Sequence, residues 1–321
     1  MRPILLLCAP LALASAPACA LDTEAMPDGA EPGVVDSVDP AVSPDILMKA
    51  ADGPDMNPPE ALPLHEPEPY RLKTFSRQAK SVRWEMLAGV AAMTATRWSD
   101  VTTGGSKFHF TNEGWFGKST YAFGMDKMHH AWKTYVMTDV LESIIRHRTG
   151  EKAGAAKTGA ILSLGLLTYG EVMDGFTKRT GFSNQDMTVH FAGAGLSLLR
   201  NTVPGMRDKI DFRMEYKPEF GGTGLRLVDQ LEDRKYLLAA QLSGFKGTRD
   251  TPWRFVELHM GYYARGFSPT AKAEGVAPKR RIFLGLGFNV QALFARKPKS
   301  RVERYAKGVL DYIQIPYTLV N

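Results

Sequence analysis

Cysteine is nearly absent from this 321-residue chain: Cys8 and Cys19 are the two, and both fall within the first 20 residues. If that stretch is removed on export, the mature chain has no disulfide and no thiol nucleophile. A disulfide-stapled secreted domain and cysteine catalysis are then excluded. Long apolar runs are also lacking. The uncharged run over 158–170 falls short of the roughly 20 residues that cross a bilayer. No dense Lys/Arg run with interleaved aromatics occurs, which argues against nucleic-acid binding. Neither a His-Glu-x-x-His nor a Gly-x-Ser-x-Gly signature is present, so the commonest zinc-peptidase and serine-hydrolase patterns are missing. No internal repeat is evident.

What is there begins with a leader. Arg2 supplies a positive start, Ile4 to Leu7 and Leu11 to Leu13 an apolar middle, and Ala18-Cys19-Ala20 a small-residue cleavage site, so residues 1–20 read as a signal peptide. Lipidation at Cys19 is the alternative to cleavage after Ala20. Pro17, in Ala16-Pro17-Ala18, stands where a lipidation signal carries a small or branched residue, which favours simple cleavage. Export without disulfides points to a bacterial envelope, periplasmic or peripheral to the outer membrane. Residues 21–69 are rich in Pro, Asp, Glu and Gly and nearly free of aromatics. That composition predicts a disordered tether, because it buries too little apolar surface to offset ordering entropy. The net charge of +6 fits a solvated basic face.

The folded envelope domain is expected over 70–321, with an α+β fold. A bundle of about four helices over 73–200 packs with a small antiparallel sheet over 209–293 and a C-terminal helix over 302–313. The first helix, 73–99, rests on Trp84, Leu87, Val90 and Ala91 at helical spacing. A Gly- and aromatic-rich connection over 101–120 follows. Helices are expected over 126–148, closed near Gly150, over 155–176 and over 183–199. Strands are expected over 209–216, 235–243, 254–264 and 280–293, on strict alternation such as Ile210, Phe212, Met214 and Tyr216. Four strands are too few for a closed membrane barrel of about eight. The closing helix is stopped by Pro316.

Three of these helices set ionisable groups into apolar patterns. Asp126 and His130 share one face with Met137, Leu141 and Ile144. Glu171 and Asp174 share one with Leu164 and Leu167. Asp186 and His190 lead into Gly193, Ala194 and Ser197, small residues that permit close helix approach. Each has a plain structural reading. Asp126 suits a helix N-terminus, Ser183 and Asp186 have capping-box spacing, Glu171 and Asp174 suit a surface helix end, and His130 suits a hydrogen-bonded core. Jointly they predict one polar cluster of Asp126, His130, Glu171, Asp174 and Asp186, because isolated buried charges are expensive.

Gly114-Trp115-Phe116, Asp126-Lys127-x-x-His130, Glu171-x-x-Asp174-Gly175-Phe176 and Gly181-Phe182-Ser183-x-x-Asp186 together resemble the predicted periplasmic (lipo)protein family known as domain of unknown function 2279. The likeness continues in Lys235-Tyr236-Leu237-Leu238, Gly261-Tyr262, Leu284-Gly285-Leu286-Gly287-Phe288-Asn289 and Tyr312-Ile313-Gln314-Ile315-Pro316-Tyr317. A more distant similarity is to VanZ-like envelope proteins, from which the chain departs at His190, where Asn is usual. Neither resemblance implies an established reaction.

Three functions compete. The first is an envelope protein whose cluster, with Lys127, fixes helix packing as a hydrogen-bond network and whose sheet faces the outer membrane or a partner protein. It needs no cofactor and is the preferred reading, so a divalent metal is not expected. The second is a metal-dependent or acid–base hydrolase of an envelope lipid or glycan, with His130, Glu171, Asp174, Asp186 and His190 as candidate ligands for a divalent cation such as Zn or Mn. The third is a pocket for a small amphipathic ligand lined by Trp115, Phe116, Tyr121 and Phe123, residues that ordinary core packing also explains.

Overall fold

The computed structural model describes residues 72–117, 119–120, 122–217, 231–294 and 300–320. The expected leader over 1–20, the expected tether over 21–69 and Tyr121 lie outside these residues. The described chain is α+β. Its helices are α1 (Leu72–Ser81), α2 (Arg83–Thr102), α3 (Met125–Thr149), α4 (Ala155–Gly175), α5 (Asn184–Thr202), α6 (Pro269–Ala273) and α7 (Arg301–Leu310).

The single helix expected over 73–99 is two helices broken at Val82, with φ −116° and ψ 14°. The break has a packing cause. Val82 is buried with Leu141, Ile144, Ile145 and Ala155, while Gln78 bonds the Ala153 carbonyl at 2.9 Å and accepts from Thr158 at 2.6 Å. Trp84 and Leu87, two members of the apolar stripe that suggested the helix, point to solvent, and Met93 and Arg97 are the buried residues of α2. The helix over 126–148 extends by one residue at each end and is closed by Gly150, whose φ of 71° suits a glycine cap. Ser183 caps α5, its hydroxyl accepting from the Asp186 amide at 3.2 Å.

The helices form two layers. Met93 packs with Leu166 and Leu167, and Arg97 meets Asp174, so α2 runs parallel to α4. Helix α5 follows α4, and α3 lies between this outer layer and the sheet. At Gly193 of α5 an added Cβ would sit 2.1 Å from the Ala131 carbonyl oxygen. Only glycine lets α5 approach α3 this closely.

The connection over 101–120 contributes β1 (Phe110–Thr111), paired in parallel with β2 (Phe182–Ser183). The main sheet holds six strands rather than four and is mixed rather than antiparallel. Its members are β3 (Ile210–Tyr216), β4 (Arg234–Gln241), β5 (Val256–Arg265), β6 (Lys279–Phe288), β7 (Ile313–Gln314) and β8 (Leu319–Val320), in the order β7-β3-β4-β5-β6-β8. The closing helix ends at Leu310, earlier than 313 and well before Pro316, because Ile313 joins β3 as a parallel strand. Strand β8 then pairs with β6. The chain between Gln314 and Leu319 can span no more than about 17 Å. The two edges of the sheet are therefore drawn together and the sheet curls into a ring.

Inside the ring an apolar cluster of Leu237, Ala239 and Phe283 lies beside a polar network. Asp211, Arg213, Gln241, Glu257, His259 and Gln314 are all buried. Arg213 donates to Asp211 at 2.5 Å, to Glu257 at 2.9 Å and to Gln314 at 3.0 Å. Arg200 extends the chain of pairs to Asp211 at 2.6 Å and to Asp139 at 2.8 Å. On the outside, Phe212, Tyr236 and Tyr262 pack against Trp132, Tyr135 and Val136 of α3. Beyond the reach of α3, the same outer face leaves Ile282 and Leu284 78% and 76% exposed.

Candidate functional site

Residues from α2, α3, α4, α5 and the segment before α3 meet at the centre of the helical half. They divide into three adjacent groups. In the first, Arg97 holds Asp174 through two bonds, of 2.5 and 2.8 Å, both side chains buried. Burial opposes the Arg97 charge, but the Asp174 carboxylate outweighs it and raises the guanidinium above its ordinary range.

In the second group the Lys127 ammonium lies between Glu113, Asp126 at 2.7 Å and Asp186 at 2.9 Å. Three carboxylates surround one ammonium, which donates a hydrogen bond to Glu113. Burial alone would lower the Lys127 pKa; Asp126, Asp186 and Glu113 together raise it above its usual value. Glu113 is pushed up to about 7 by burial and by Asp186. The cation position among these carboxylates is thus filled by a side chain of the protein.

The third group is His130, Glu171 and His190. His130 Nδ1 lies 3.2 Å from His190 Nε2 and 3.8 Å from Glu171 Oε1, which is 3.5 Å from His190 Nε2. Thr134 orients the second imidazole. Its hydroxyl donates to the His130 carbonyl at 2.8 Å and lies 2.7 Å from His190 Nδ1. With its hydrogen so used, it accepts from Nδ1–H, and the lone pair on Nε2 faces Glu171 and His130. Burial, then the charge of Lys133, hold both histidines well below the ordinary imidazole pKa. Burial, then Asp186 and Asp174, push Glu171 up to about 8. Burial lowers Lys133, which Glu171 and Asp186 partly oppose.

The expected cluster is therefore gathered at one place, but as neighbouring sets rather than one bonded group. Asp126 and Asp186 go to Lys127, Asp174 goes to Arg97, and His130 and Glu171 go to His190. Asp126, Asp174 and Asp186 each lie within ion-pair distance of Lys127 or Arg97, and Glu171 lies against the two histidines. Sequence reasoning missed Arg97, Glu113, Lys133 and Thr134. Arg97 was detectable as a charge in helical register with the inward-facing Val90 and Met93. Glu113 directly precedes Gly114-Trp115-Phe116. Of the aromatics considered as a ligand pocket, Phe123 is core, while Trp115 and Phe116 are exposed.

Glu113, Lys127, His130, Glu171, Asp174, Asp186 and His190 all fall in one matched segment. Residues 112–202 match the family model described as Predicted periplasmic lipoprotein (DUF2279). The segment spans α3 to α5 and every member of the Lys127 and His130 groups; α2 and the curled sheet lie outside it. No curated protein and no solved structure matches the chain, and nothing in these comparisons supports a VanZ-like relationship. The family match supports an exported envelope location. No helix among the described residues is long and apolar enough to cross a membrane.

Proposed function

We propose that this chain is an exported envelope protein that binds one divalent cation, zinc or manganese, through His130, Glu171 and His190. The observation that carries the reading is the set of donor separations, 3.2, 3.5 and 3.8 Å. Ligands about 2.0–2.1 Å from a tetrahedral zinc sit roughly 3.3 Å from one another. The neutral imidazoles need lose no proton, and a cation would draw the proton from Glu171. Thr134 plays the part of the outer partner that orients a ligating histidine. Two His and one carboxylate leave further coordination positions for water or substrate, and His130 is the half-buried ligand on the solvent side. Hydrolysis of an envelope lipid or glycan is the chemistry such a centre would serve. The Lys127 and Arg97 groups are structural in this reading, and they fix the helices that carry the ligands.

Elemental analysis of the purified protein, followed by titration of the chelated form with zinc and with manganese, tests the reading. One equivalent of metal, lost in His130→Ala and His190→Ala, is expected. A protein that takes up no metal and melts at the same temperature with and without chelator would leave the three residues as a hydrogen-bond network. Outer-membrane contact and cleavage after Ala20 belong to the same proposal. N-terminal mass spectrometry of exported protein decides between that cleavage and acylation of Cys19.

A further inference from the structure

The interior of this protein is unusually charged, and much of its exterior is apolar. The outer faces of α2, α4 and α5 show this most clearly. Between Trp84 and Trp98 of α2 the exposed residues are Trp84, Leu87, Ala88, Ala91, Ala95 and Trp98, an apolar stripe bordered by the exposed Arg83, Ser99 and Thr102. Trp84, Leu87 and Trp98 are 66%, 56% and 61% exposed. Alongside it, α4 presents Ile161 and Gly165, and α5 presents Phe191, Ala192, Gly195 and Leu199. Of the charged residues on these helices, Arg97, Glu171, Asp174, Asp186 and Arg200 are buried, Glu85 and Asp100 are half-buried, and the exposed Arg83 and Lys157 stand near the N-terminal ends of α2 and α4. Apolar patches of this breadth mark an interaction surface.

We infer that the outer faces of α2, α4 and α5 form one apolar wall that beds into the hydrocarbon of a lipid layer, with the basic groups at its two ends on anionic phosphates. The dimensions fit immersion rather than crossing. Trp84 to Trp98 is about 21 Å of helix, against a hydrocarbon core of about 30 Å. The ends fit an interface. At one end Arg77, Lys80, Arg83 and Arg148 line an open cavity of about 560 Å³ beside Trp84, and Arg83 stacks on that ring at 5.2 Å. The acids there, Glu151 and Glu85, are paired with Arg77 and Arg148. At the other end the exposed Lys107, Lys178 and Arg179 flank Phe108, Phe110 and Phe176. Aromatic and basic residues bordering an apolar surface suit the headgroup level.

Charge also decides against a second copy. Both ends of the wall are basic, so docking two walls in either direction sets like charges together, whereas phosphates complement both. Outward apolar and inward polar residues recur on β5 and β6, where Leu258, Met260, Ile282, Leu284 and Leu286 face out and Glu257 and His259 face in.

The test places an environment-sensitive bimane at Ala91→Cys, with Cys8→Ser and Cys19→Ser, and a control label at the exposed Lys246→Cys. The vesicles are phosphatidylglycerol and phosphatidylethanolamine. The label at position 91 is expected to shift to the blue, to lose access to iodide and to be quenched by acyl-chain bromines, while the label at 246 stays open to iodide. Lys80→Glu with Arg83→Glu should weaken attachment at least about tenfold and make it less sensitive to salt. Unchanged iodide access at position 91 in the presence of vesicles would overturn the inference. So would protection already complete without lipid in a species of twice the monomer mass, since the occupant would then be a second copy. Each readout is independent of metal content.

Discussion

His190 owes its role to one hydroxyl. Thr134 fixes which ring nitrogen carries the proton and so turns Nε2 toward Glu171 and His130. Thr134→Val keeps the volume and removes that partner. Metal affinity, measured by competition with a chromogenic chelator, should fall by about 10–100-fold. In the ring, Arg213 joins Asp211, Glu257 and Gln314. Arg213→Met leaves the buried Glu257 without its arginine, while Asp211 keeps Arg200, and urea unfolding should show a loss of about 3–5 kcal/mol. Asp311 gives a pH effect. Burial and then Asp211 push it up to about 6, above about 4 in the unfolded chain. The folded form thus holds this proton more tightly. The resulting stability is fully present below about pH 4 and is lost as pH rises to about 6, amounting to at most about 3 kcal/mol. Asp311→Asn should flatten that slope relative to the parent when unfolding midpoints are compared across this window.

At the level of elements, α5 carries two glycines two positions apart with opposite surroundings. An added Cβ at Gly193 meets the Ala131 carbonyl at 2.1 Å, whereas at Gly195 it meets nothing within 4 Å. Gly193→Ala should destabilise by about 1–3 kcal/mol, since the backbone of α3 cannot give way. Gly195→Ala should stabilise by up to about 1 kcal/mol through helix propensity alone. Urea midpoints of the two variants check both, and equal effects would place α5 farther from α3. The α1–α2 break shows the same dependence on neighbours. Val82 sits in a continuous helical pattern, yet its burial with Leu141 and Ala155 bends the chain there.

For the whole molecule, closure of the sheet depends on a short segment. Ile313–Gln314 and Leu319–Val320 hold opposite edges, and Gln314 accepts from Arg213 inside the ring. A chain ending at Tyr312 should lose cooperative unfolding in the β half, seen as a second, earlier calorimetric transition. The helical half, organised around α3, should keep its own transition. One transition at the parent temperature would show that the four long strands close without the segment.

Several features were legible from local pattern. The helices over 126–148, 155–176 and 183–199 follow from 3.6-residue periodicity, and the four long strands from alternation, because both are properties of neighbouring residues. The convergence of Asp126, His130, Glu171, Asp174 and Asp186 was legible because buried charge requires partners. Which face of an alternating strand is inside was not. Glu257 and His259 alternate with Leu258 and Met260, and the polar pair is the buried one. Alternation separates two faces without ranking them. The choice was made by Arg213 and Gln314, which lie 44 and 57 positions away from Glu257 in the chain and meet only when the sheet curls. The division of the polar cluster among Lys127, Arg97 and His190 was likewise decided by distance in three dimensions, since an ion pair forms with the nearest available charge whatever its place in the sequence.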